Sequence, residues 1–123
     1  MHTDQNTTVH DLRQLMRDFV AERHWQKYHN PRNIAASISV EAGELLELFQ
    51  WADNDAALER LAKDPEYKRA VGEELSDVLL YAMSLANAMD IDLSHVVHAK
   101  MVKNRKKYPA DQFKGHYERP LDP

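Results

Sequence analysis

Two short acidic clusters, Glu41-Ala-Gly-Glu44 and Glu74-Leu-Ser-Asp77, constrain this chain more than any other feature, because they break into stripes that are otherwise apolar. At about 100° per residue, residues 34–52 gather Ile34, Ile38, Glu41, Glu44, Leu45, Leu48 and Ala52 onto one helical face. Residues 70–89 gather Ala70, Val71, Glu74, Asp77, Val78, Tyr81, Leu85 and Ala88 in the same way, with Glu73 thrown about a quarter-turn aside, so Glu74 is the inward carboxylate. Such a chain has to fold with carboxylates on the buried faces of two helices. An unpaired carboxylate in a low-dielectric interior is costly and neighbouring ones repel, so the arrangement requires protons, basic partners or cations. A divalent metal ion held by Glu41, Glu44, Glu74 and Asp77 satisfies all of them together.

The rest of the chain reads as helices. Val9, Leu12, Leu15, Met16, Phe19 and Val20 recur at helical steps and predict an amphipathic helix over residues 8–24, preceded by a polar leader, residues 1–7. Residues 23–29 form a connection. Asn30-Pro31 then reads as cap and first residue of a second helix running to about Ala52. Residues 55–63 predict a short helix, Asp64-Pro65 opens a long one to about Met89, and Asp92 caps a last one to about Lys107. From Pro109 onward there is no periodicity, which predicts an extended or disordered tail, residues 109–123. The expected fold is all-α: a bundle of four main helices plus a short connecting helix, in one domain over residues 8–108. Val78 to Met83 is apolar nearly all round, which in so small a protein predicts an oligomer, a homodimer or homotetramer.

With 123 residues, 43% of them hydrophobic, the chain has a modest core. The absence of cysteine fits a reducing cytoplasm. The start is neither basic nor apolar, and the longest apolar stretch, Val78 to Ala88, is too short to span a bilayer, so no membrane partner is expected. A net charge of −4 argues against a general nucleic-acid binder, despite a basic patch near the C-terminus.

Carboxylate oxygens without cysteine favour a hard cation, Mg²⁺ or, in its place, Mn²⁺. A di-iron bundle would need Glu-x-x-His pairs, whereas Glu44 and Asp77 occupy those positions. His95 and His98 have no acidic residue spaced with them, His24 and His29 lie in a connection, and ordinary surface or core roles are expected for the histidines. Mg²⁺ held by a few carboxylates keeps open positions for phosphate oxygens, which points to a phosphorylated substrate. Lys100 and Asn104, four apart, and the following Arg105 and Tyr108 suit a triphosphate; complementing a helix dipole accounts for Lys106 but less well for Lys100 and Asn104. There is no Walker loop, Rossmann fingerprint or nucleophile elbow. Trp25, Trp51, Tyr28 and Phe19 offer flat surfaces for a nucleobase, although each taken singly is expected in the core before it is expected against a ligand. Trp51 is placed best, on the Glu44 side of its helix, about fifteen ångströms beyond Glu41.

Four blocks of sequence, in order, carry a resemblance: residues 24–33 (HWQKYHNPRN), 40–51 (VEAGELLELFQW), 73–79 (EELSDVL) and 100–109 (KMVKNRKKYP). In these the chain resembles the all-α, MazG-like nucleoside triphosphate pyrophosphohydrolases, and within them the dCTP pyrophosphatase branch, from about Leu12 to Pro109. The family's metal motifs fall on Glu41, Glu44, Glu74 and Asp77. The resemblance implies Mg²⁺-dependent hydrolysis of a nucleoside triphosphate between the α and β phosphates, in cleansing of the nucleotide pool. It also implies that Lys100, Asn104, Arg105 and Tyr108 face phosphate or sugar and that Trp25 and Trp51 line a base pocket; Tyr81, on the stripe of Glu74 and Asp77, is a further substrate-side candidate. Two positions depart from the pattern: Val40 stands where the wider family has a first Glu, and dCTP-selective relatives carry a histidine near Met16.

Glu41 and Glu44 are the catalytic candidates, with Glu44 the first choice as general base and Glu47 the second. Three other readings remain open. The same chemistry would serve dUTP, a damaged triphosphate or phosphoribosyl-ATP. A non-catalytic helical oligomer that stores or senses divalent metal would show metal-dependent stability without product. A di-iron oxidoreductase would contain iron.

Overall fold

The computed structural model describes residues 1–118. Among them there are six α-helices and no strand: α1 (Val9–Glu22), α2 (Pro31–Glu47), α3 (Asn54–Lys63), α4 (Pro65–Met89), α5 (Leu93–Lys107) and α6 (Ala110–Phe113), with a 3-10 turn at Gln26–Tyr28. The all-α architecture, with four main helices and a short connecting one, is the expected one.

Each long helix begins where a polar side chain can take the free N–H groups of its first turn. Thr8 and Asp11 form a reciprocal capping box on α1. Asn30 Oδ1 accepts from Asn33 N at 3.0 Å with Pro31 as first residue of α2. Asp53 caps α3, Asp64 takes both Glu66 N and Tyr67 N at the start of α4, and Asp92 caps α5. Helix α4 ends at Asp90, whose φ of 54° is the left-handed cap that aspartate tolerates better than most residues. The polar leader is knit locally, with Thr3 N donating to Asn6 Oδ1 and Asn6 Nδ2 to the Met1 carbonyl.

The chain forms two compact units, residues 1–91 and Asp92 onward. In the first, α4 is central, and α2, α1 and α3 pack on it, α2 most extensively. The core is Met16, Val20, Ile34, Ala57, Tyr67, Met83 and Ala86, with Ser84 the one buried polar residue among them. Arg13 and Arg17 on α1 both donate to Asn87 Oδ1 on α4, at 3.0 and 3.1 Å, and Asn87 Nδ2 returns a bond to the Arg13 carbonyl. Leu75 and Leu79 of α4 and Val40 and Leu46 of α2 are exposed, so apolar surface of both helices is uncovered in the single chain.

Two stretches differ from expectation. Helix α2 stops at Glu47 instead of continuing to Ala52, and Trp51 therefore stands in a turn, not on the helical stripe of Glu41 and Glu44. The cause is tertiary: the Tyr67 hydroxyl donates to the Leu48 carbonyl at 2.6 Å, and Leu48, Phe49, Gln50 and Ala52 N–H groups turn to carbonyls three residues back. In the second unit, Ala110–Phe113 closes one helical turn within the segment expected to be extended, with Phe113 edge-on to Tyr108 at 5.2 Å. The end of the expected tail, residues 119–123, lies outside the described residues.

Candidate metal centre and adjoining cavity

Packing of α2 against α4 brings Glu41, Glu44 and Glu74 together, each offering one carboxylate oxygen within 4.8 Å of the others. Asp77 lies outside this set, yet its charge acts on both Glu41 and Glu74. Glu73 points aside, as its register predicts: it is exposed and pairs with Arg69. Glu47, the second general-base candidate, is exposed in the last turn of α2.

No described basic side chain pairs with Glu41, Glu44, Glu74 or Asp77. One oxygen each of Glu41 and Glu74, Oε2, is buried without a hydrogen-bond partner. Burial pushes the Glu41 carboxyl above the ordinary carboxylate range, reinforced by Glu44 and then by the charges of Asp77 and Glu74. Burial raises Glu74 also, followed by Glu44, Asp77 and Glu73. An orphaned buried oxygen on each of two packed helices, within a set of close carboxylates and with no cysteine in the chain, fits a hard divalent cation bound by oxygen ligands.

The same two helices frame a cavity of about 400 Å³ lined by Trp25, Tyr28, His29, Asn33, Ser37 and Tyr81, with Ile34 behind. It lies along the helices from the carboxylates: Ser37 is one turn before Glu41 on α2, and Tyr81 one turn after Asp77 on α4. Two of the expected substrate-side residues, Trp25 and Tyr81, therefore share one cavity. Trp25 is held by its N–H to the Val20 carbonyl and by an edge contact with Phe19, 5.7 Å between centroids. Tyr28 and Phe19 are both exposed. Trp51, 89% exposed, lines no part of this cavity.

Sequence reasoning missed Asn33, Ser37 and the placement of His29 in this wall. Ser37 carries a local signal, four residues before Glu41 on the same face; His29 carries none, because its partner Ser84 is 55 residues away. Lys100 and Arg105 are exposed on α5, Asn104 is half-buried there with its amide against Met101 Sδ at 3.7 Å, and Tyr108 caps the helix. All four belong to the second unit. His98 bonds the Ser94 carbonyl at 2.8 Å within the same helix.

Residues 36–119 match the MazG-like family. The chain is 44% identical over 108 residues to the dCTP pyrophosphatase 1 of Rattus norvegicus, covering 88% of this chain and 63% of that protein. It is also 44% identical over 103 residues to the dCTP pyrophosphatase 1 of Homo sapiens, covering 84% and 60%. The chain thus spans about three fifths of the length of these curated relatives. A crystal structure of a pyrophosphatase from Archaeoglobus fulgidus superposes with a TM-score of 0.75 at 40% identity, covering 89% of this chain and 96% of that one. No described helix is long and apolar enough to cross a membrane.

Proposed function

Because the chain belongs to the MazG-like family, we propose that it is a divalent-metal-dependent nucleoside triphosphate pyrophosphohydrolase acting on dCTP or a modified dCTP. The observation that carries this reading is the meeting of Glu41, Glu44 and Glu74 from two helices, with two buried oxygens lacking any partner. Glu41, Glu44, Glu74 and Asp77 would hold Mg²⁺, with Mn²⁺ as a substitute. When bound, such an ion neutralises phosphate charge and acidifies coordinated water.

The residues of the chain divide the remaining work. Glu44, the exposed member of the carboxylate set, is the general base that takes the proton of the attacking water. The new bond forms between the water oxygen and the α phosphorus as the bond from the α phosphorus to the α–β bridging oxygen breaks, and pyrophosphate leaves. The family resemblance assigns Lys100 to charge on the leaving group and Asn104, Arg105 and Tyr108 to phosphate or sugar. Trp25 and Tyr81 border the base in the adjoining cavity. Completion of that cavity by a second copy in a homodimer or homotetramer, with Trp51 as the contributed surface, accounts for the exposure of Trp51 and of Leu75 and Leu79. The family resemblance adds a role in cleansing the nucleotide pool, and the absence of cysteine fits a cytoplasmic one.

The test is a product analysis. The protein is incubated with Mg²⁺ and each common dNTP and NTP, and base-modified dCTP, separately, and mono-, di- and triphosphates are resolved by ion exchange. Monophosphate plus pyrophosphate, with dCTP or its modified forms turned over best, is the expected result. Diphosphate plus orthophosphate would overturn the bond assignment, and no turnover of any nucleotide alongside metal binding would turn the reading toward another non-standard nucleotide or a metal-sensing oligomer.

A further inference from the structure

His29 stands in the wall between two cavities. One is the aromatic cavity of Trp25 and Tyr81; the other, about 330 Å³, is lined by Met16, Arg17, Val20, Gln26 and Asn87 among others. The imidazole is anchored on one side only, through Nδ1 to the Ser84 hydroxyl at 2.8 Å. Among the described residues no group bonds Nε2.

The serine decides which nitrogen carries the proton. Ser84 is 5% exposed, in the middle of α4. A helical serine can direct its hydroxyl proton to the carbonyl one turn back, as Ser76 does to Gly72 at 2.8 Å. Ser84, which also lines the second cavity, makes no such bond, so among the described residues Nδ1 is the only acceptor its hydroxyl reaches. If Nδ1 carried the hydrogen, the serine hydroxyl would have no protein acceptor for its proton, which is unfavourable at a residue 5% exposed. Ser84 therefore donates, Nδ1 accepts, and the neutral ring has its hydrogen on Nε2.

We propose that His29, held by Ser84 with its proton on Nε2, is a specificity-determining residue that donates a hydrogen bond to an unprotonated ring nitrogen on the Watson–Crick edge of the bound nucleobase. A single fixed donor at that point separates bases by chemistry rather than size. Cytosine N3 accepts the bond, whereas N3 of uracil carries a hydrogen and meets the donor head-on. Flat aromatic neighbours such as Trp25 and Tyr81 stack on any base and cannot make this distinction. The inference deepens the proposed pyrophosphohydrolase reading and rests on it for the identity of the ligand.

The experiment takes the ratio of kcat/KM for dCTP to that for dUTP within each variant, so that losses common to both nucleotides cancel. His29→Phe, which keeps a ring and removes the donor, is expected to lower the ratio at least tenfold. His29→Gln, which restores an N–H, should recover part of it. Ser84→Ala should lower the ratio while leaving the His29 ring in place. Nitrogen-15 NMR of the His29 imidazole reads the tautomer without any turnover: the Nε2–H form in the wild type, a mixture in Ser84→Ala. A wild-type ratio in His29→Phe, or an Nδ1–H ring in the wild type, overturns the proposal. Failure of the hydrolytic reading looks different, as no product from any nucleotide; calorimetric binding of the α,β-imido analogues of dCTP and dUTP to wild type and His29→Phe then decides the inference on its own, equal preference in the two proteins overturning it.

Discussion

Glu41 on α2 and Glu74 on α4 face each other across the helix interface, with Glu44 completing a set of oxygens within 4.8 Å, and each keeps its Oε2 buried and unbonded. Both carboxyls titrate above their ordinary value of 4.5. For a carboxyl raised on folding, the stabilising contribution is fully present below the unfolded value and is lost as pH rises through the folded one. Metal-free protein is therefore expected to melt at lower temperature as pH rises from about 4.5 through the raised values of these two groups. Glu41→Gln should flatten this dependence and raise the melting temperature at neutral pH in the presence of a chelator. Equal pH profiles for the two proteins would show that the pair is not strained.

Divalent cation acts in the opposite direction to that repulsion. Mg²⁺ added at neutral pH should raise the melting temperature of the wild type, because a ligand that binds only the folded state stabilises it by mass action. The increment should shrink as pH falls toward 4.5, since protons compete for the same oxygens. A Glu41→Gln, Glu74→Gln double variant should lose most of it. An undiminished Mg²⁺ increment in the double variant would place the cation elsewhere.

Glu44 is exposed, so its replacement leaves the core untouched. Glu44→Gln should keep the circular dichroism of the wild type and lose at least about a hundredfold in turnover, the order of magnitude for removing a group that acts in the transition state. Glu47→Gln, three residues on at the end of the helix, should lose far less. Near-normal turnover in Glu44→Gln would transfer the base role away from it.

The Tyr67 hydroxyl ends α2 by taking the Leu48 carbonyl at 2.6 Å, from a side chain only 5% exposed. Tyr67→Phe leaves that carbonyl without its partner and should cost about 1–2 kcal/mol in urea denaturation. An unchanged midpoint would mean that the turn at residues 48–52 is held by its own backbone bonds.

What could be read from the chain was local. Asn30-Pro31, Asp64-Pro65 and Asp92 mark helix starts because a cap bonds to residues two or three further on. The two acidic stripes were legible because helical period alone puts Glu41 and Glu74 among apolar neighbours, and Glu73 outside them. Two features were set by distant partners, a third is too short to read, and none left a periodic signal. The end of α2 depends on Tyr67, nineteen residues after Leu48, which is why Trp51 reads as helical and is not. The place of His29 depends on Ser84. The turn Ala110–Phe113 is too short to show a period, and its aromatic contact joins residues on either side of Pro109.

Trp51 supplies the last prediction. An indole 89% exposed in a turn, on a chain whose α2 and α4 also expose Val40, Leu46, Leu75 and Leu79, is surface that a second copy would cover. In a Trp25→Phe variant Trp51 is the only tryptophan left. Its emission should shift to the red on dilution as copies separate and the indole enters water. Specific activity of the wild type should fall over the same concentration range, because the cavity beside the carboxylates loses the surface that completes it. Constant emission and constant specific activity across a wide dilution series would count against completion of the site by a second copy.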